Sequence, residues 1–319
     1  MIRSVVQGVG AYLPEKVMHN DALPTQLETN HAWIVERTGI EQRHLAAEGE
    51  YTSHLGAHAA RDALKEAGIS AQEIGLIVLA TSTPDESLPS TATRIQAMLG
   101  ADRAAAFDVN AACGGFVYGL HIADALLKTG AYAYALVIGA ETMSRVLDWQ
   151  DRRTAILFGD GAGAIVLRAE RNTERGILHS MIASDGSYGD LLHTDGGVSR
   201  TKTAGFLHME GKEVFRHAVE KMSHSVEGTL AACNMQVEDI HFLVPHQANM
   251  RILAACAKRL NISPEKIIAT VAHHANTSAA SIPLALASAK KTVIIQQGNL
   301  VMLTALGAGF TWGSALIRW

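Results

Sequence analysis

Phe107-Asp108-Val109-Asn110-Ala111-Ala112-Cys113-Gly114-Gly115-Phe116 joins two unlike patterns. Upstream, Ala104 to Val109 is a short apolar run of the kind that forms a buried strand. Downstream, Phe116 to Lys128 repeats apolar residues at helical spacing and stops at Gly130. Cys113 falls at the turn between them, beside only Ala and Gly. A thiol there meets free backbone N–H groups and the positive end of a helix dipole, and both favour thiolate. The small neighbours leave room for a substrate to reach the sulfur. Strand, turn, nucleophile and helix in this order form an acyl-transfer arrangement, with Cys standing for Ser. A buried core cysteine fits the same stretch, since Cys is among the most often buried residue types.

Outward from this stretch the elements alternate. A first strand spans about 2–10, then a helix His54 to Gly68, a strand Leu76 to Ala80 and a helix Ser90 to Leu99. After the Cys113 helix come the strands Tyr134 to Ala140 and Ala162 to Arg168. The second half repeats the order. It has a strand near Ile177–Ala183, a helix Lys212 to Ala232, a strand Ile240 to Val244 and a helix Ala248 to Leu260. An extended Lys266 to Val271, a helix Ser278 to Lys290 and strands Leu300–Ala305 and Thr311–Ile317 follow. Each half reads βαβαβαββ, which predicts an internally duplicated α/β fold with mostly parallel sheets, divided into residues 1–170 and 171–319.

Duplication gives Cys113 a counterpart. Asn276, in His273-His274-Ala275-Asn276-Thr277-Ser278, precedes the third helix of the second half as Cys113 precedes that of the first. His246 follows a strand directly, in Val244-Pro245-His246-Gln247-Ala248-Asn249. Ligand sites lie at the carboxyl ends of parallel strands, so a Cys, a His and an Asn converge in topology. Singly, each has a plainer reading. The chain has 15 histidines, and Asn276-Thr277-Ser278 is a good helix cap with no chemistry required.

Composition sets the bounds. A chain of 319 residues, 48% hydrophobic and 18% charged, can build a large core. Three cysteines with no CxxC pair point to a reducing compartment, with no disulfide framework and no zinc site. A net charge of −4 exerts no global pull on nucleic acid. No apolar run is long enough to span a bilayer, and the start of the chain reads as a strand, not a signal peptide. The cytoplasm is the expected location. Gly159-Asp160-Gly161-Ala162-Gly163-Ala164 is not a dinucleotide fingerprint, and is expected to form a tight turn packed beside the sheet.

Several segments together carry a resemblance. They are Trp33 to Ile40, Asp108 to Phe116, Gly139-Ala140-Glu141, Asp151-Arg152, Phe158 to Ala164, Val244 to Asn249, Asn276 to Ser281, and Gly309 to Ala315. In this order they make the chain similar, over essentially its whole length, to the β-ketoacyl-acyl-carrier-protein synthase III family. These are the initiating condensing enzymes of type II fatty-acid synthesis, within the thiolase-like superfamily. The resemblance implies a five-layered αβαβα fold and a homodimer. It implies that Cys113 takes an acyl group from an acyl-coenzyme A primer, acetyl-CoA by default. Malonyl-acyl-carrier protein then loses CO2, and its carbanion attacks the acyl-Cys. His246 and Asn276 would donate hydrogen bonds to the malonyl thioester oxygen, which requires a neutral His246. The N–H groups of Cys113 and of the turn Gly307-Ala308-Gly309 would hold the acyl-Cys oxyanion.

By the same resemblance Trp33 and Arg152 flank the adenine of coenzyme A, Arg37 lies near its phosphates, and Asn249 bonds the pantetheine arm. From the residues alone, a core Trp and surface Arg would be the simpler reading. Arg216, Arg251, Lys258 and Arg259 would form the basic patch that docks the acidic carrier protein, although Lys and Arg also favour a helix's last turn. No tightly bound cofactor and no metal is implied. Departures from the family pattern are Ala275 and Ala308 where glycine is common, Leu306 where some relatives have Phe, and Arg153 beside Arg152. Leu88-Pro89 stands where some relatives place a phenylalanine that closes the partner's primer pocket, so a longer primer would fit; a simple dimer-interface leucine is the plainer reading.

Other functions share some of these features. A specialised secondary-metabolite condensing enzyme would use the same residues. A papain-like Cys-His-Asn hydrolase matches the residue types but not the α/β order. A non-catalytic acyl-CoA-binding module matches the fold but leaves Cys113, His246 and Asn276 without purpose.

Overall fold

The computed structural model describes residues 2–292 and 294–319. Its strands and helices run β1 (Ile2–Tyr12), β2 (Lys16–His19), α1 (His31–Thr38), β3 (Gln42–Leu45), α2 (Thr52–Ala67), β4 (Leu76–Ala80), α3 (Thr91–Leu99), β5 (Ala105–Val109), α4 (Gly115–Lys128), β6 (Tyr134–Thr142), α5 (Arg152–Ala155) and β7 (Asp160–Arg171). The second half continues with β8 (Gly176–Ser184), β9 (Leu192–Thr194), β10 (Leu207–Met209), α6 (Gly211–Ala232), β11 (Phe242–Pro245), α7 (Met250–Leu260), α8 (Val271–His274), α9 (Ser281–Lys291), β12 (Leu300–Gly307) and β13 (Thr311–Arg318).

Two sheets form the frame. The first has the order β1-β7-β6-β4-β5 and the second β8-β13-β12-β11. Taken strand by strand, the second order repeats the first with its fifth member missing. Helices α2 and α3 cover the outer face of the first sheet, and α6 and α7 that of the second. Helices α4 and α9 lie between the sheets, where Phe116, Leu120, Ile282 and Leu286 pack with Val78, Val137, Val301 and Ile317 in one buried cluster. The layering is αβαβα, as the resemblance implied.

Three expectations need correction. The sheets are mixed rather than mostly parallel. β4 pairs in parallel with β5 and β6, but β7 runs antiparallel to both β6 and β1. Likewise β11 and β12 are parallel while β13 is antiparallel to β12 and β8. β13 follows β12 through a short turn, and the longer connection 143–159 returns β7 to the same end of β6, where Thr142 pairs with Asp160, so each last strand runs back beside its predecessor. In addition, Lys266 to Val271 is not a strand. It keeps one parallel bridge, Ile267 to Leu243, where β5 would have its counterpart. Pro264 and Thr270 bound the stretch, and the turn into α8 takes up its end.

Gly159 to Ala164 also differs from expectation: it enters β7 and forms no turn of its own. Close packing is nonetheless its purpose. A Cβ on Gly163 would lie 2.6 Å from the nitrogen of Leu284, so β7 receives α9 directly. Gly139 of β6 does the same for the residues before α9, since a Cβ there would sit 2.3 Å from the Ala279 carbonyl.

Candidate active site

The chain reverses at the C-terminal ends of β5, β11 and β12, and the expected residues meet there. Cys113 sits in a single 3-10 turn, Ala112–Gly114, that leads into α4. The preceding Ala112 has φ 47°, a left-handed conformation unfavourable for a residue with a Cβ. His246 follows β11, and its backbone N–H donates to the Thr304 carbonyl of β12 at 2.8 Å. Asn276 follows α8. Cys113, His246 and Asn276 all line one cavity, with Phe158, Leu306 and Asn249 among its other walls.

Each side chain is held in a defined orientation. Asn276 Oδ1 accepts from the Ser278 N–H at 2.9 Å, which turns the Nδ2 donor the other way. Its backbone is strapped to the first half: Asn276 N–H donates to the Leu157 carbonyl at 2.9 Å, and Gly159 N–H donates to the Asn276 carbonyl at 3.0 Å. His246 Nδ1 lies 2.7 Å from Ser281 Oγ. The neighbouring Gln247 is fully buried and staples the loop. Its Nε2 donates to the carbonyls of Pro245 and Ile268, and its Oε1 accepts from the Thr270 N–H.

Burial sets the protonation states. His246 is 3% exposed. Loss of solvation lowers its pKa from 6.5 to about 4, so the ring is neutral at pH 7. Burial acts on Cys113 against the expected thiolate. It pushes the thiol from 9.0 up to about 12, only partly offset by a hydrogen bond with Ser278, while the buried Glu141 carboxylate opposes a second negative charge. The resting group is therefore a thiol. The turn places it at the helix start, but enclosure in the protein outweighs the dipole.

The turn after β12 lies against the nucleophile, and Ala308 lines a second cavity that contains Cys113. Ala308 carries no positive φ. Gly309 takes it instead, at 129°, so the alanine at 308 carries no backbone strain. Ala275 is the strained departure, with φ 57° and ψ −161°. The second cavity, about 180 Å³, is walled by Met143, Val146, Phe158, Leu192 and Leu207, with polar Ser82, Thr83 and His193.

Toward the surface the first cavity continues into a groove bounded by Arg37, Lys212, Phe215, Asn249 and Arg251. Asn249 Oδ1 caps α7 through the Ile252 N–H at 3.0 Å, leaving its Nδ2. Two guanidinium groups lie against the Trp33 ring, with Arg37 Cζ 4.3 Å and Arg152 Cζ 5.1 Å from its centroid. Arg152 also donates to the Glu28 carbonyl at 2.9 Å. At that spacing no aromatic ring fits between Trp33 and Arg152, so a base entering there must displace the guanidinium. Arg216 is exposed and paired with Glu213 at 2.7 Å. Lys258 and Arg259 occupy the last turn of α7, about 10 Å along the helix from Arg251. The structure thus brings Arg251 to the groove and leaves Lys258, Arg259 and Arg216 at a distance or engaged.

Sequence reasoning missed several supporting residues. Lys212 stands at the groove without a motif to mark it. Arg43 is fully buried, donates to Asn20 Oδ1 and the Ile156 carbonyl, both at 2.8 Å, and braces the segment that straps Asn276. Ser281 closes a matching segment, but its residue type marks no chemistry there. Among the described residues, no group of three or more His, Cys, Asp or Glu side chains is placed to hold a metal ion.

The αβαβα layers and the convergent Cys, His and Asn define a thiolase-like protein. Residues 107–186 match the family model for 3-oxoacyl-[acyl-carrier-protein] synthase III, and residues 230–319 match the model for its C-terminal part. The β-ketoacyl-[acyl-carrier-protein] synthase III of Rhodospirillum centenum is 56% identical over 321 residues, covering 100% of this chain and 99% of the relative. That of Rhodospirillum rubrum is 56% identical over 323 residues, covering all of both chains. The crystal structure of 3-oxoacyl-(acyl carrier protein) synthase III from Pseudomonas aeruginosa superposes with a TM-score of 0.94 at 46% identity, covering 99% of this chain and 98% of that one. The chain belongs to the β-ketoacyl-[acyl-carrier-protein] synthase III family and is a condensing acyltransferase.

Proposed function

We propose that this enzyme carries out a decarboxylative Claisen condensation between an acyl-CoA primer and malonyl-acyl-carrier protein, starting fatty-acid synthesis. The observation that carries the reading is the shared cavity of Cys113, His246 and Asn276, continuous with a basic groove. The Cys113 sulfur attacks the primer thioester, and coenzyme A leaves with the thiol proton. The malonyl thioester then loses CO2, and the electron pair of that bond moves into an enolate. The Nε2–H of His246 and the Nδ2–H of Asn276 bond the developing oxyanion in a site closed to water. The enolate carbon attacks the acyl-Cys carbonyl, whose oxyanion faces the Cys113 N–H and the turn Gly307-Ala308-Gly309. Collapse expels the Cys113 sulfur as a thiolate, which takes a proton from solvent to return to the resting thiol, and gives 3-ketoacyl-acyl-carrier protein. No tightly bound cofactor is required.

Trp33, Arg37 and Arg152 would receive the nucleotide end of coenzyme A, and Asn249 the pantetheine arm. Arg251 leads the carrier-protein patch, joined by Lys212 and flanked by Arg216, Lys258 and Arg259. A homodimer is proposed on the exposed apolar side chains Leu88, 86% exposed, and Val198, 70% exposed. Their loops rim one hollow together with Thr83 to Ser87 and Lys202 to Ala204, and a second copy would cover them. The cytoplasm is the proposed location. Its support is three free cysteines, and no helix among the described residues is long and apolar enough to cross a membrane. Residues 1–170 and 171–319 are proposed as the two duplicated units, with β7 ending at Arg171 and β8 starting at Gly176.

A specialised role in secondary metabolism has one specific support. The priming β-ketosynthase of the R1128 polyketide pathway shares the fold, with a TM-score of 0.93 at 33% identity over 99% of this chain and 96% of that one. Intact-protein mass spectrometry with a panel of acyl-CoA thioesters separates the readings. An adduct on Cys113 that only malonyl-carrier protein discharges, absent in Cys113→Ala, supports the synthase. Free acid without an adduct supports a hydrolase, and the fastest-labelling chain identifies the primer.

A further inference from the structure

Ser281 is the first residue of α9, 2% exposed, and its hydroxyl lies in the second half's central layer directly behind His246. Among the described residues Ser281 Oγ has two hydrogen-bond partners. One is the Gln247 N–H, which donates to it at 3.3 Å. The other is His246 Nδ1 at 2.7 Å. A backbone N–H can only donate, so the Gln247 bond occupies a lone pair of the serine oxygen. The serine proton then has one available acceptor, the lone pair of Nδ1. If Nδ1 carried the imidazole proton instead, the serine oxygen would receive two N–H groups and its own buried proton would have no partner.

We infer that Ser281 is a positioning residue that fixes the tautomer of His246, holding Nδ1 as acceptor so that Nε2–H is presented to the cavity. This rests on the proposed role of His246 as an oxyanion donor and says what makes it a donor. An imidazole free to exchange tautomers would present a lone pair to the oxyanion for part of the time. A ring nitrogen's role in a site is set by the bond its partner nitrogen makes. Gln247 is stapled by three further bonds, so its N–H is itself fixed, and the orientation passes from loop backbone to serine to ring.

The test uses the full-length enzyme labelled with 15N-histidine, with His246 assigned from the His246→Asn spectrum. In the wild type a pyridine-like Nδ1 and a pyrrole-like Nε2 are expected. The reverse pattern overturns the proposal without any variant. Ser281→Ala is expected to shift both signals toward exchange between tautomers. It should also lower kcat for malonyl-thioester decarboxylation about 10- to 100-fold, with little change in KM. Ser281→Thr keeps the hydroxyl and should restore both the spectrum and most of the rate. If Ser281→Ala folds as the wild type does and leaves the His246 signals unchanged, the assignment falls, while the condensation reading stands. If the wild type shows the expected tautomer but decarboxylates nothing, the condensation reading falls and the tautomer assignment stands.

Discussion

A Cβ on Gly307 would lie 2.5 Å from the backbone nitrogen of Cys113 and 2.8 Å from that of Gly114. The end of β12 is thus pressed against the turn that carries the nucleophile. Gly307→Ala must push backbone from backbone, since no flexible side chain is present to yield. Acylation of Cys113 by acyl-CoA is expected to fall at least about 100-fold, the scale of a lost oxyanion donor. Mass spectrometry of the adduct over time measures it, and circular dichroism checks that the variant is folded. Acylation at the wild-type rate would show that this contact does not align the Cys113 N–H.

The enclosed thiol makes a pH prediction. With its pKa raised to about 12, the thiolate fraction grows about tenfold per pH unit throughout the usual range. Alkylation of Cys113 by iodoacetamide should climb from pH 6 to pH 10 without levelling. A plateau by pH 8 would mean that the helix dipole wins over burial.

His246 makes the opposite kind of prediction. Its pKa is 6.5 unfolded and about 4 folded, so the unfolded chain binds the extra proton between those values. The stabilising effect of a neutral His246 is complete above pH 6.5 and is lost as pH falls toward 4, about 3 kcal/mol in all. His274, also lowered to about 4 by burial, acts in the same direction. Tm should therefore drop steadily from pH 6.5 to pH 4. Decarboxylation by the folded Cys113→Ala enzyme should stay level down to about pH 5. An early loss of decarboxylation near pH 6.5, with Tm unchanged, would contradict the buried neutral ring.

Asn276→Ala should separate the two half-reactions. The Asn276 amide is oriented by Ser278 and reaches the cavity as a donor. Its loss should slow decarboxylation by about 10²–10³ while Cys113 still acquires an acyl group. Equal damage to both steps would refute this division of labour. Arg251→Glu should raise KM for malonyl-carrier protein well above any change in thiol acylation. Equal effects on both would remove the docking role.

Ala275 takes a backbone conformation that glycine adopts freely. Strain of about 1–3 kcal/mol is relieved in Ala275→Gly, against about 0.5–1 kcal/mol of added freedom in the unfolded chain. The net gain of about 1 kcal/mol should raise Tm by roughly 2 °C in a thermal scan. A lower Tm would show that the buried Ala275 methyl contributes more than the strain costs.

The alternation of apolar strands and amphipathic helices was legible along nearly the whole chain, because those patterns follow from which faces are buried. Leu76–Ala80 appears as read, and the boundaries of α4 and α6 move by one residue. Strand direction was not legible, because it depends on whether a connection crosses the sheet. Lys266 to Val271 looked like a strand by composition, yet it keeps a single bridge to β11, Ile267 with Leu243, while the Ile268 carbonyl and the Thr270 N–H bond the Gln247 side chain. The convergence of Cys113, His246 and Asn276 could be argued from topology. The thiol state of Cys113 could not, since it depends on how completely later segments close over it. Ser281 and Gln247 were invisible for a related reason: nothing in a serine or glutamine announces which ring it stands behind.

Every residue of α9 from Ser281 to Ala287 is buried, and the helix faces both sheets. Its first residue bonds the ring of His246, so this central helix has no separate structural and chemical ends. A disturbance that loosens the centre of the protein reaches that ring before it reaches the surface. Heat inactivation should therefore report the melting of the interior itself, with no warmer interval in which an intact body has lost its activity.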